Sequence, residues 1–153
     1  MRPKTSATEL VAFEVATRDL VGLALRSVEA MEISLSQFRL LLVLHEHGRS
    51  TSTQCAKALG VQGSSVTRLA DRLHASGHLV RGADPGNRSV VTLELTDAGR
   101  RVVRQVRTRR RRELRRVLDR LGPSERAACA AALDELHRMV DVEDPDPHHR
   151  LPL

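Results

Sequence analysis

Gln54-Cys55-Ala56-Lys57-Ala58-Leu59-Gly60-Val61-Gln62-Gly63-Ser64-Ser65-Val66-Thr67-Arg68-Leu69 is the stretch on which the fold of this chain turns. Ala56 is small enough for two helices to cross closely. Gly60 tolerates the positive φ that a tight turn between them needs. Val66, supported by Leu59, Leu69 and Leu73, anchors the second helix on the first. Any pair of short packed helices can show Ala, Gly and Val at such places, so facing geometry has to decide. At ~100° per residue, Val66, Leu69, Ala70 and Leu73 fall on one side. Ser64, Arg68 and Ala75 fall on the other, flanked by Thr67, Asp71 and Arg72. A merely solvated face would tolerate long Glu and Lys side chains there, and none occurs. The outer face is short, polar and basic near its N-terminal end. That suits a helix in the major groove of DNA, where hydroxyls meet bases or phosphates and Arg forks onto guanine.

Downstream, Leu79–Arg81 reads as a short strand and Gly82-Ala83-Asp84-Pro85-Gly86-Asn87 as turn chemistry. Val91, Leu93 and Leu95 alternate with Thr92 and Glu94, a half-buried strand that closes a hairpin. A hairpin directly after a helix-turn-helix is a wing. Thr96 and Asp97 cap a long helix to about Arg120, ~36 Å in length. Gly122-Pro123 restarts a final helix, with Glu125 in its first turn. Upstream, residues 8–31 have helical apolar spacing. Ser34 and Gln37 form a capping box for a helix over roughly 35–47. Leu40–Leu44 is apolar on every side, which predicts a sandwiched helix. Thr51-Ser52-Thr53 offers caps for a short helix ending at Leu59. The expected fold class is mainly α with a small β-wing.

The 153 residues carry a formal charge of +6, with 25 Lys and Arg against 19 Asp and Glu. Only Lys4 and Lys57 are Lys, and Phe13 and Phe38 are the sole aromatics. A basic chain favours a polyanionic partner, and one without Tyr or Trp lacks platforms for stacking single-stranded bases. Duplex DNA is therefore the expected partner. No apolar run is long enough for a bilayer span, and MRPKTSATEL is no signal peptide, so a cytoplasmic location is expected. Cys55 and Cys129 cannot build a disulfide framework. The seven histidines place no HxxxH pair on one helix, so neither metal nor cofactor is expected. No nucleophile–base pair or phosphate loop points to an enzyme.

These residues carry a family resemblance. The 54–69 run, Gly77-His78-Leu79-Val80-Arg81, and Val91-Thr92-Leu93-Glu94-Leu95-Thr96-Asp97-Ala98-Gly99 resemble the MarR family of bacterial transcription regulators. Leu35-Ser36-Gln37-Phe38-Arg39 and Pro123-Ser124-Glu125 are also similar. The likeness covers roughly residues 8–140. It implies a homodimer on a pseudo-palindromic operator, repressing until a small anionic or phenolic effector, or thiol oxidation, relieves it. The implied organisation is an N-terminal dimerisation helix at 1–34, a winged helix-turn-helix lobe at 35–99, C-terminal dimerisation helices at 100–142 and a flexible tail at 143–153. The DNA-binding residues expected are Ser64, Ser65, Thr67, Arg68, Arg72 and Arg88. The family's wing usually carries Asp-x-Arg, whereas Asn87-Arg88-Ser89 stands here, with the Arg displaced and the carboxylate lost.

Residues 97–120 hold 11 basic and 3 acidic side chains, a balance of +8, whereas 48–96 carry only +3. Most arginines of the long helix share one broad face, which either adds long-range field or meets phosphates at its N-terminal end. Arg110 falls instead within the apolar arc of Val102, Val103, Val106, Leu114, Val117 and Leu121. A guanidinium there must find a partner. A carboxylate such as Glu14 or Asp19, or one across a dimer, is one solution; anchoring an anionic effector is the other. Cys55 reads as a packing residue, with a redox sensor as the alternative. An effector-independent architectural DNA-binding protein is the remaining alternative, separable by its indifference to sequence.

Overall fold

The computed structural model describes residues 4–143. In chain order the elements are α1 (Ala7–Glu29), α2 (Leu35–His47), β1 (Ser50–Thr51), α3 (Ser52–Leu59), α4 (Gly63–Ala75), β2 (Leu79–Ala83), β3 (Val91–Leu95), α5 (Asp97–Leu118) and α6 (Pro123–Glu143). This is the expected mainly helical fold with a small sheet. Past Glu143, the tail expected over 143–153 lies outside the described residues.

Helix α2 is the hub. It packs against α1, α3, α4, α5 and β3. Phe38 and every residue from Leu40 to Leu44 are buried, which is why that run has no polar face. Ser34 Oγ accepts from the Gln37 amide (3.1 Å) while Gln37 Oε1 accepts from the Ser34 amide (2.8 Å), closing the expected capping box. Thr51 and Gln54 do the same for α3, and Ser6 and Glu9 for α1. Each box satisfies two otherwise orphaned amides, worth about 1 kcal/mol.

Two glycines set the corners of the helix-turn-helix. Gly60, at φ 65°, lets the Val61 amide return to Ala56 O and ends α3. Gly77, at φ 77°, lets the His78 amide return to Leu73 O and ends α4. Both are Schellman-type stops that L side chains resist.

The sheet is antiparallel in the order β1-β3-β2, with Ser50 opposite Leu93 and Leu79 opposite Leu95. Sequence periodicity does not reveal β1, because two residues have no period. Strand β2 runs through Gly82 to Ala83, two residues beyond the expected Arg81, so the wing loop starts at Asp84. The expected inward triplet of β3 is also corrected. Leu93 and Leu95 are buried, but Val91 is 46% exposed and Thr92 is buried instead. The cause is Arg49, whose Nε donates to Thr92 Oγ1 (3.2 Å) and whose guanidinium also donates to Ala83 O (2.7 Å). It lies across Gly82 and roofs Thr92.

The wing base is locked to α5. Thr96 Oγ1 donates to Gly77 O (2.6 Å) and accepts from the Gly99 amide (3.2 Å), while the Thr96 amide donates to His78 O. A Cβ on Gly99 would stand 2.1 Å from His78 O, so only glycine permits this approach. Helix α5 ends at Leu118 rather than Arg120, with Asp119 as its cap.

The flanking helices are less covered. In α1, Leu23 and Val28 are buried, but Leu10, Val11, Phe13, Val15, Leu20 and Val21 are exposed. Val117 at the end of α5 and Leu121 after it are exposed. In α6 every residue from Ala127 to Val140 is exposed, Leu133, Leu136, Met139 and Val140 among them.

Candidate nucleic-acid interface

Helix α4 divides as its periodicity predicts. Val66, Ala70 and Leu73 are buried against the core. Ser64, Ser65, Thr67, Arg68 and Arg72 are all exposed. The N-cap Gln62 contributes no side-chain cap, so the positive end of the helix dipole is left open to an anion. Thr67 Oγ1 donates to Gly63 O (3.1 Å), which leaves only its lone pairs and methyl for an outside group.

Two side chains that sequence spacing could not single out brace the wing, and one of them ties it to this helix. Arg81 on β2 pairs with Asp71 (2.6 Å) and also donates to Thr67 O (3.3 Å). The one acidic group of the outer face is thereby matched to a cation. Arg49 braces the far side of the wing. Both contacts cross ten or more residues, and no local motif encodes them. Ser65 and Arg68 are brought together around a cleft of about 270 Å³, which Ser36 and Arg39 of α2 also line. Thr67 and Arg81 border a second cleft with Val91. Arg72 and Arg88 belong to neither.

The wing loop is built from its own polar groups. Asp84 Oδ2 accepts from the Gly86 (3.1 Å) and Asn87 (3.2 Å) amides. Asn87 O accepts from the Val90 amide (2.9 Å), and Asn87 Oδ1 accepts from the Ser89 amide and hydroxyl. Arg88 sits at the first central position of that turn, exposed. Among the described residues no carboxylate pairs with it. The wing's acid, Asp84, is spent on backbone amides rather than on orienting an arginine.

Arg110 is half-buried on α5. Its Nε donates to Ser27 Oγ (3.4 Å) on α1, and Ser27 is itself buried. Burial, then the neighbouring Arg107, pushes its guanidinium below the usual arginine range. Of the two carboxylates expected nearby, Asp19 lies against Arg18 (3.5 Å).

Cys55, on α3, is fully buried in the core, and burial pushes its thiol up to about 11. At neutral pH about one in ten thousand such thiols is ionised. That chemistry runs against a redox sensor at Cys55. It matches the packing role.

Known proteins share this arrangement. A profile described as the MarR family matches residues 32–88, from the turn before α2 to the wing tip. The HTH-type transcriptional repressor MdtR of Bacillus subtilis is 28% identical over 120 residues, covering 78% of this chain and 77% of that protein. The crystal structure of RV1404 from Mycobacterium tuberculosis superposes with a TM-score of 0.80 at 33% identity, covering 90% of this chain and 97% of that one. An S. aureus MepR mutant bound to an oligodeoxyribonucleotide has the same fold, with a TM-score of 0.71 at 20% identity over 90% and 99% of the two chains. This chain belongs to the MarR family and is a DNA-binding, helix-turn-helix transcription regulator.

Proposed function

We propose that the chain acts as a homodimeric repressor, occupying a pseudo-palindromic operator until a small effector releases it. The observation that carries the dimer is the distribution of uncovered apolar side chains. Among the described residues, twelve of the fifteen large hydrophobic side chains that are exposed lie on α1, at or just past the end of α5, or on α6. Soluble chains seldom leave such a surface to water. A second copy covers it in this reading, with residues 1–34 and 100–142 as the dimerisation lobe and 35–99 as the DNA-binding lobe.

Two α4 helices then lie about one duplex turn apart, ~34 Å. Arg68 forks onto a guanine edge, Ser64, Ser65 and Thr67 meet bases or phosphates, and Arg72 meets a phosphate. Arg88 reaches the backbone or minor groove from the wing, unguided by a carboxylate. The repressor role is supported by the name of MdtR, and DNA binding by the oligodeoxyribonucleotide complex of MepR. Arg110, set into the α1–α5 seam, anchors a small anionic or phenolic effector. The site of action is the cytoplasm; no helix among the described residues is long and apolar enough to cross a membrane.

The test is fluorescence anisotropy on the intergenic DNA beside the chain's own gene, against random duplex. A specific regulator prefers its operator by roughly 10³-fold or more. Arg68→Ala is expected to cost about 1–3 kcal/mol on the operator and to relax the preference at one base position. Equal affinity for operator and random duplex would replace the repressor with an architectural DNA-binding protein.

A further inference from the structure

Two sets stand out among the ten arginines of α5. Arg100, Arg107 and Arg116 each meet a carboxylate, from Asp97 (3.0 Å), Glu46 (3.6 Å) and Glu113 (3.6 Å). Arg101, Arg104, Arg109 and Arg112 do not. These four occupy a ~140° arc of the helix at 100° per residue. With Thr108, and with Met31 from the turn after α1, they line a concavity of about 460 Å³. No Asp or Glu lines it, and among the described residues none of the four has an ion-pair partner. Arg109 is half-buried there, so part of its hydration has already been given up.

Four guanidiniums around one hollow repel one another, and one multiply charged anion relieves all of them together. Guanidinium groups bind phosphate oxygens through paired, charge-assisted hydrogen bonds, and phosphates bridging neighbouring arginines suit four such forks. The Thr108 hydroxyl adds a neutral donor. The volume lies in the range that holds a nucleotide-sized ligand. None of the twelve exposed apolar side chains of the flanking helices lines this hollow. Arg110 is not part of its wall.

We infer that the groove formed by Arg101, Arg104, Arg109 and Arg112 is a binding site for a small polyphosphate-bearing anion. A duplex backbone is the other phosphate source, but a rigid duplex meets protruding surface more readily than a hollow between a helix and a turn. The site is contained in one chain and depends on neither the dimer nor the repressor reading.

Isothermal titration calorimetry with sodium tripolyphosphate tests it, using the 153-residue chain at ~100 mM salt, where diffuse surface attraction is screened. One tripolyphosphate per chain is expected. Arg104→Gln/Arg109→Gln should weaken binding at least tenfold. Arg111→Gln/Arg120→Gln removes the same charge from exposed positions outside the groove and should change it less than twofold. Circular dichroism establishes that both variants fold; if the first does not, Arg101→Gln/Arg112→Gln replaces it. The same proteins are titrated with duplex DNA. Equal losses in both double variants would mean a diffuse field and overturn the site. So would absence of tripolyphosphate binding, or a groove variant losing duplex affinity by the same factor as tripolyphosphate affinity. Unchanged duplex binding in the groove variant supports the site and leaves DNA recognition to α4 and the wing.

Discussion

From Leu35 to Leu95 the chain hides its large apolar side chains. Phe38, Leu40–Leu44, Val66, Leu73, Leu79 and Leu93 are buried, and Val61, Val80 and Val91 are the large exposed exceptions. Across α1, the end of α5 and α6 the pattern inverts, with twelve large apolar residues each 38–57% exposed. The first region is a finished core. The second, in the proposed dimer, is half of one. Completing the burial of a half-covered aliphatic side chain contributes about 1 kcal/mol. Twelve per chain amount to roughly 20 kcal/mol in a dimer, above the ~4–15 kcal/mol that association costs. Folding of the DNA-reading part and assembly of the flanks are therefore separable, and each can be damaged alone.

The largest expected effect strikes the unfinished half. Phe13→Asp/Leu136→Asp places charge on both flanking helices. It should cost about 3–6 kcal/mol per dimer, weakening association ~100-fold or more. Light scattering should then report one chain, while circular dichroism keeps its helical signal. A variant that stays dimeric would erase the distinction between the two regions. The next largest strikes the finished half. Gly99→Ala drives a methyl to 2.1 Å from His78 O, a backbone atom that cannot move without shifting the wing base. Denaturant unfolding should show a loss of about 3 kcal/mol. A loss under ~0.5 kcal/mol would mean that the α4–α5 junction is loose.

A pH series probes the finished core from inside. Cys55 titrates near 9 when unfolded and about 11 when folded. Between those values the unfolded chain has lost a proton that the folded chain keeps, so stability falls as pH rises. The stability difference between wild type and Cys55→Ala should therefore shrink by about 2 kcal/mol from roughly pH 9 to 11. The chain has no Tyr to titrate over the same window. A constant difference would show that the Cys55 site is wetter than its packing indicates. The smallest effect is at the wing tip. Arg88→Ala should lower DNA affinity by less than about 1 kcal/mol at moderate salt and flatten the salt slope by about one, without altering base preference. If affinity and slope both stay put, Arg88 does not touch DNA.

How far the sequence discloses the fold and the site depends on the range of the contacts involved. Capping boxes, glycine stops and the 3.6-residue stripe of α4 are local, and each matches an element to within a residue or two. The wing is legible as turn chemistry between alternating runs, but its inner face is not. Alternation alone puts Val91 inward, and Arg49, far away in the chain, is what buries Thr92 instead. Arg81 with Asp71 escapes a sequence reading for the same reason. Exposure on α1 and α6 is equally invisible, since a helix stripe looks alike whether its partner is in the same chain or another. The groove on α5 shows the converse. A wheel puts most of the arginines on one face, and only the positions of Asp97, Glu46 and Glu113 separate those already paired from those lining a hollow.

Sedimentation equilibrium of the chain with an operator-length duplex decides whether the uncovered flanks are half of a DNA-binding dimer. Two chains of 17.0 kDa on one duplex, and a dimer of about twice that mass without DNA, are predicted. A single chain bound per duplex at full affinity would contradict the account.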